Sequence, residues 1–159
     1  MSSAEKAGRE RDRVSVSHEL EIDVYYDAPR EEIFENWIDA TKLRTWFAPY
    51  GFDVIDCEVA AYPGGKWRVV FRSNDGTEFL ESGEFREVVA PERLVFTLRH
   101  VEAAVTLETM VSVTFAVDGS GTRMTFRQTG FDTEAGRDDH RVGWGECFQL
   151  LKANLVRTS

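Results

Sequence analysis

The chain has 159 residues, 42% hydrophobic and 30% charged, with a net charge of −9 at pH 7. That length and balance describe a single globular domain able to bury a real core. The acidity leaves no basic face for nucleic acid and disfavours anionic membrane surfaces, and no apolar run approaches the roughly 20 residues that a bilayer-crossing helix needs.

In chain order, Met1 to Arg13 mixes Glu, Lys, Arg and Ser without an apolar centre. It reads as a flexible arm rather than a secretory signal, leaving residues 14–159 as the folded domain. From His18 to Tyr26, Leu20, Ile22 and Val24 alternate with acids, as in a strand with one wet side. Asp27-Ala28-Pro29-Arg30-Glu31-Glu32 opens a helix, with proline early and acids in the first turn, and Ile33, Phe34 and Trp37 supply its apolar face. A second short helix starts at Asp39, which can cap it, and carries Leu43, Trp46 and Phe47.

Six further strands follow, joined by turns too short for parallel crossovers. Phe52 to Val59 places Ile55, Cys57 and Val59 on one face, and Lys66 to Arg72 turns Trp67, Val69 and Phe71 inward. Asn74-Asp75-Gly76 is a hairpin turn into the long strand Glu78 to Val88. Arg93 to Arg99 alternates Leu94, Phe96 and Leu98. Val105 to Val117 does so with Val105, Leu107, Val111, Val113 and Phe115, and Thr122 to Gln128 with Met124 and Phe126. The loop Thr129 to Arg137 contains or precedes the start of the last element. From Asp138 to Val156, Trp144, Phe148, Leu151 and Leu155 share one face of an amphipathic helix of about five turns.

Strand, two helices, six-strand meander and long helix make an α+β helix-grip pattern. Several motifs then resemble a known family in the right order. They are Phe34-Glu35-Asn36-Trp37 with Trp46-Phe47-Ala48-Pro49, Pro63-Gly64-Gly65-Lys66-Trp67-Arg68, and Gly83-Glu84-Phe85 with Pro91-Glu92-Arg93-Leu94-Val95-Phe96-Thr97. Val113-Thr114-Phe115, Gly121-Thr122-Arg123-Met124-Thr125 and Gly143-Trp144 complete the set. Across residues 18 to 156 the chain resembles the homologues of the activator of heat-shock protein 90 ATPase, within the START-like (SRPBCC) superfamily.

The resemblance implies a birch-pollen-allergen-like fold, a seven-stranded antiparallel sheet wrapped around the C-terminal helix with an apolar cavity between them. It also implies a small apolar or amphipathic ligand, with cyclase- or hydrolase-like enzymes among the superfamily's relatives. The eukaryotic co-chaperone has an additional N-terminal domain. Here only the charged arm precedes the first strand, so chaperone activation is not expected, while an interaction protein, as a chaperone client-side partner or a homodimer, is a third reading.

The clearest chemical signal is aromatic. Trp37, Trp46, Phe47, Trp67 and Phe71 fall on inward faces, as do Phe79, Phe85, Phe96, Trp144 and Phe148. Each is either plain core or part of a ligand pocket. Pockets run about 300–1,000 Å³, and a dry cavity costs about 24 cal/mol per Å³. Even a small one then costs roughly 7 kcal/mol, the order of a whole domain's stability. Any real cavity must be wet, collapsed or occupied.

Glu81 shares the inward phase of Phe79, Gly83 and Phe85, where a carboxylate needs a partner or acts as an acid or base. A bulge at Ser82-Gly83 that turns it to solvent is the favoured alternative. Thr109 is inward too, as a pocket hydroxyl or a satisfied core one. Catalysis is therefore left open and rests on Glu81 alone.

His18, His100 and His140 are isolated in sequence, and His140 reads as a surface position in the last helix's first turn. With no His-x-x-x-His or Cys/His spacing, no metal site and no cofactor are expected. Gly64-Gly65-Lys66 leads into a strand, so it is a hairpin turn rather than a phosphate loop. Arg68, Arg72, Arg123 and Arg127 read as solvated outer surface. Cys57 and Cys147 read as free, buried thiols in a reducing cytoplasm.

Overall fold

The computed structural model describes residues 18–102 and 105–158, and the charged segment 1–13 lies outside them. Seven strands form one antiparallel sheet in the order β1-β7-β6-β5-β4-β3-β2. In chain order they are β1 (His18–Tyr26), β2 (Phe52–Val59), β3 (Lys66–Ser73), β4 (Glu78–Val89), β5 (Arg93–Glu102), β6 (Val105–Asp118) and β7 (Gly121–Phe131). Helices α1 (Arg30–Ile38) and α2 (Ala40–Leu43) follow β1, and α3 (Glu134–Thr158) closes the chain. The six later strands form a meander and β1 pairs with β7.

Period-two alternation explains the sheet. Along β5, Leu94, Phe96 and Leu98 are buried, as are Val111, Val113 and Phe115 on β6 and Met124 and Phe126 on β7. These face the helices: Phe115 packs on Phe34 of α1 and Phe126 on Trp144 and Phe148 of α3, whose stripe of Trp144, Cys147, Phe148, Leu151 and Leu155 is buried. On the outer face Arg68 pairs with Asp56, Arg72 with Glu78, Arg123 with Asp118 and Arg127 with Glu19. All four arginines sit in solvated ion pairs, each worth little individually.

Several local expectations change. Helix α3 begins earlier than Asp138, because Thr133 Oγ1 accepts from the Gly136 amide at 3.0 Å and caps it. Strand β7 runs past Gln128 to Phe131, through Gly130 at φ +105, a left-handed conformation that glycine adopts without strain. Asp39 does cap α2, accepting from Thr41 N at 2.9 Å, but regular helix ends at Leu43. A register shift between Val54 and Asp56 breaks the β2 alternation, so Ile55 is 38% exposed and Cys57 half-buried.

The most consequential change is on β4. Pairing with β3 runs unbroken from Lys66↔Glu84 to Arg72↔Glu78, and the shift toward β5 lies between Phe85 and Glu87. Nothing rotates Glu81 outward, and it is buried at 6% exposure. Glycine at 83 answers to close approach rather than to a bulge. A Cβ there would lie 1.7 Å from the Thr97 carbonyl oxygen, so β4 can bend over β5 only with a bare backbone.

Candidate functional site

The aromatic interior divides in two. At one end Trp37 packs edge-on to Trp46 with centroids 4.8 Å apart and also meets Phe126 and Phe148. Trp46 and Phe148 are essentially sealed, with Trp46 Nε1 donating to the Asn36 carbonyl at 3.2 Å. Trp37, Trp67, Phe85 and Phe96 meet around a space of only ≈ 10 Å³, at the lower limit for holding a single water. Trp37 Nε1 is the one buried side-chain polar atom without a hydrogen-bond partner among the described residues.

At the other end the sheet and the first half of α3 diverge around a cleft of ≈ 490 Å³. Phe47, Phe71, Phe79, Glu81 and Trp144 line it, together with Phe52 and Leu107. Trp46, Phe148 and Thr109 do not reach it. Dry, such a volume would cost about 12 kcal/mol at the usual cavity coefficient, as much as a domain's entire stability. The cleft is therefore a space for solvent or ligand. Its described lining carries four carboxylates (Glu81, Glu102, Asp132 and Asp139), two histidines and neither lysine nor arginine.

Three side chains converge at this acidic end. The β4–β5 register sets Glu81 opposite His100, and Oε2 lies 2.7 Å from His100 Nδ1. Burial works against charge on His100, but the hydrogen bond and charge of Glu81, then Glu102, outweigh it and hold the imidazole's pKa above its ordinary value. His100 stacks on Phe79 at 5.8 Å. The third group is His140, brought over the sheet by α3. It is half-buried, with its ring 5.2 Å from His100 and 5.1 Å from Phe131, rather than at the surface. Its Nδ1 lies 2.9 Å from the Gly136 carbonyl; since a carbonyl only accepts, Nδ1 carries a proton, and in the neutral imidazole the lone pair is then on Nε2.

Sequence periodicity offered an inward Glu81 only beside the favoured solvent-facing bulge, and passed over both histidines and Gln128. His100 continues the inward phase of Leu94, Phe96 and Leu98, and His140 lies one turn before Trp144 on the buried stripe, so the signal was present in both patterns. Gln128 is fully buried and links the two halves. It accepts from Trp144 Nε1 at 2.8 Å and donates to Thr109 Oγ1 at 2.8 Å, while Thr109 donates to the Leu98 carbonyl. This chain satisfies the polar groups of Trp144, Gln128 and Thr109 and anchors Trp144 as the wall between the packed end and the cleft.

Cys147 also lines the cleft. Burial, then the Glu81 and Glu146 charges, keep its thiol well above the ordinary cysteine pKa, so it is a poor nucleophile.

Solved structures share this architecture. Protein CV1439 from Chromobacterium violaceum is 24% identical, with 85% of this chain and 94% of that one aligned at a TM-score of 0.78. Protein NE0264 from Nitrosomonas europaea is 26% identical over 89% and 96% of the two chains at 0.75. The AHSA1 (SPO3351) protein from Silicibacter pomeroyi is 20% identical over 89% and 100% at 0.81. No curated protein matches the chain. Among the described residues no helix is long and apolar enough to cross a membrane. The family model described as "Activator of Hsp90 ATPase homolog 1-like protein" matches residues 27–156. The chain therefore belongs to that family, whose START-like helix-grip fold is that of a ligand-binding or interaction module.

Proposed function

We propose that the protein binds a small amphipathic molecule in the cleft between the sheet and α3. The observation that carries this reading is the lining of the ≈ 490 Å³ space, which is aromatic and aliphatic on one side and acidic on the other. The volume lies within the range of small-molecule sites. The apolar part of the ligand rests on Phe52, Phe71, Phe79, Leu107 and Trp144, and its polar end meets Glu81, His100 and His140. With four carboxylates and no lysine or arginine in the described lining, the site favours a neutral or cationic head over an anionic one.

The test is calorimetric titration, in the presence of EDTA, with an alkylamine, an alkanol and a fatty acid of equal chain length. Intrinsic tryptophan fluorescence, to which Trp144 in the cleft wall contributes, serves as a second readout. The expected order of affinity is amine, alcohol, acid. Leu107→Trp, which narrows the cleft, is expected to weaken binding. Absence of saturable binding, or equal binding by the narrowed variant, would overturn the reading.

The buried Glu81–His100 pair supports a second reading, an enzyme in which Glu81 orients and polarises His100 as a general base. A substrate turned over in the cleft should then lose on the order of 100-fold or more in kcat with Glu81→Gln, and an unchanged kcat would remove that role.

A further inference from the structure

We propose that Glu81, His100 and His140 form a site for one divalent transition-metal cation of the zinc class at the acidic end of the cleft. One ligand atom from each of the three lies within 4.8 Å of the other two. The residues come from β4, β5 and α3, so none of the usual ligand spacings exists in the sequence, and the folded chain alone brings them together.

Geometry, tautomer and charge each point the same way. Zinc holds nitrogen and oxygen ligands at about 2.0–2.2 Å, which sets those atoms roughly 3.3 Å apart in a tetrahedral arrangement. Glu81 and His100, now 2.7 Å apart, would open slightly, and the His140 imidazole would turn its Nε2 toward them, with the cleft beside it to move in. The Gly136 carbonyl takes the Nδ1 proton of His140. That is the outer-shell contact which orients a metal-binding imidazole and leaves Nε2 free to ligate.

The hydrogen bond between Glu81 Oε2 and His100 Nδ1 holds one proton between the two atoms. A metal ion would displace it. Glu102, whose Oε1 is 3.8 Å from His100 Nε2, together with Asp132 and Asp139 surrounds the site with negative charge, and the described lining offers no competing cation. Two histidines and one carboxylate suit zinc and its first-row neighbours. With only three protein ligands, a coordination position remains toward the cleft, as in zinc sites that bind water or a substrate rather than closed structural ones.

This site stands apart from the amphiphile reading, because its test uses the metal alone. The full chain, stripped with EDTA and dialysed, is titrated with Zn²⁺ by calorimetry and with Co²⁺ by visible absorption. One equivalent is expected to bind, with a cobalt d–d band of four- or five-coordinate intensity. His140→Gln, a near-isosteric change on a half-buried helix face, is expected to weaken zinc binding at least ~10-fold and to remove the band. His100→Ala and Glu81→Gln should do the same, with circular dichroism verifying the fold of each variant, whereas His18→Ala should leave binding intact. Absence of saturable binding, or zinc binding that His140→Gln leaves unchanged, would overturn the assignment.

Discussion

The two ends of the interior are built from the same kinds of residue and behave differently. At the Trp37–Trp46 end, aromatic rings from α1, the α2 segment, β7 and α3 close on each other, and between Trp37, Phe47 and strands β2 to β5 only ≈ 10 Å³ is left. At the Glu81–His100–His140 end, the same sheet and the same helix enclose ≈ 490 Å³ with charged groups among the rings. Helix α3 contributes, since its buried apolar stripe begins at Trp144 and its first turns present Gly136, Asp139, His140 and Gly143 to the cleft. The rest comes from α1 and the α2 segment, which plug one end with Trp37 and Trp46, while Phe47 and Pro49 line the other. Stability is concentrated in the first region and chemistry in the second, as is usual where a rigid body carries a wet site.

The sharpest way to break this comparison is a pair of truncations read by urea denaturation. Trp46→Ala removes a side chain with 0% exposure and a hydrogen bond from the packed end, and about 3–5 kcal/mol of stability should be lost. Phe79→Ala takes a half-buried ring from the cleft wall, with an expected loss below about 2 kcal/mol because solvent already reaches the site. Equal losses would mean that the cleft wall bears the fold as heavily as the plugged end.

Next in size is the pair at the cleft's acidic end. His100→Ala leaves the Glu81 carboxylate, 6% exposed, without its hydrogen-bond donor, an expected cost of about 1–3 kcal/mol in the same denaturation experiment. Val69→Ala on the neighbouring strand offers the apolar comparison.

Smaller effects separate two helix glycines. A methyl at Gly145 meets nothing within 4 Å, so Gly145→Ala should stabilise by roughly 0.5–1 kcal/mol through helix propensity alone. A methyl at Gly143 would touch Pro49 Cγ at 3.6 Å, an ordinary contact, and Gly143 lines the cleft. Gly143→Ala should therefore gain a similar amount in thermal melts yet alter binding in the cleft, which Gly145→Ala should leave unchanged. Neither glycine is needed for close approach of helix and sheet.

The smallest expected signal is chemical. Burial pushes the half-buried Cys57 thiol up to about 11, with Arg44 opposing and Asp56 and Glu58 reinforcing the shift. At pH 8 only about one thiol in a thousand is then thiolate. Alkylation monitored by intact mass should be slow at pH 8 and accelerate as the pH rises toward 11, while Cys147 stays protected until the cleft end opens.

How much was legible in the sequence follows from the range of each signal. Alternation along each strand and the 3.6-residue stripe of α3 were enough for the fold class, the seven strands and the inward set, because side-chain direction is a local consequence of backbone geometry. The family motifs came from the same short stretches. Local chemistry missed at Thr133 was also within reach: a threonine followed at once by Glu134 is an ordinary helix start. Placing Glu81 was harder, because a glycine in a strand signals either a bulge or a close approach, and only the Thr97 backbone across β5 decides between them.

The sequence by itself determined which residues face inward. It did not determine which of them meet, because meeting depends on register and on the seating of the helix. Glu81 and His100 face each other only because the β4–β5 shift falls between Phe85 and Glu87 rather than before Glu81. His140 joins them only because α3 is seated with the His140 ring between Phe131 of β7 and His100 of β5. Those distances arise from the packing of separate elements, so the triad and the cleft beside it were properties of the tertiary structure alone.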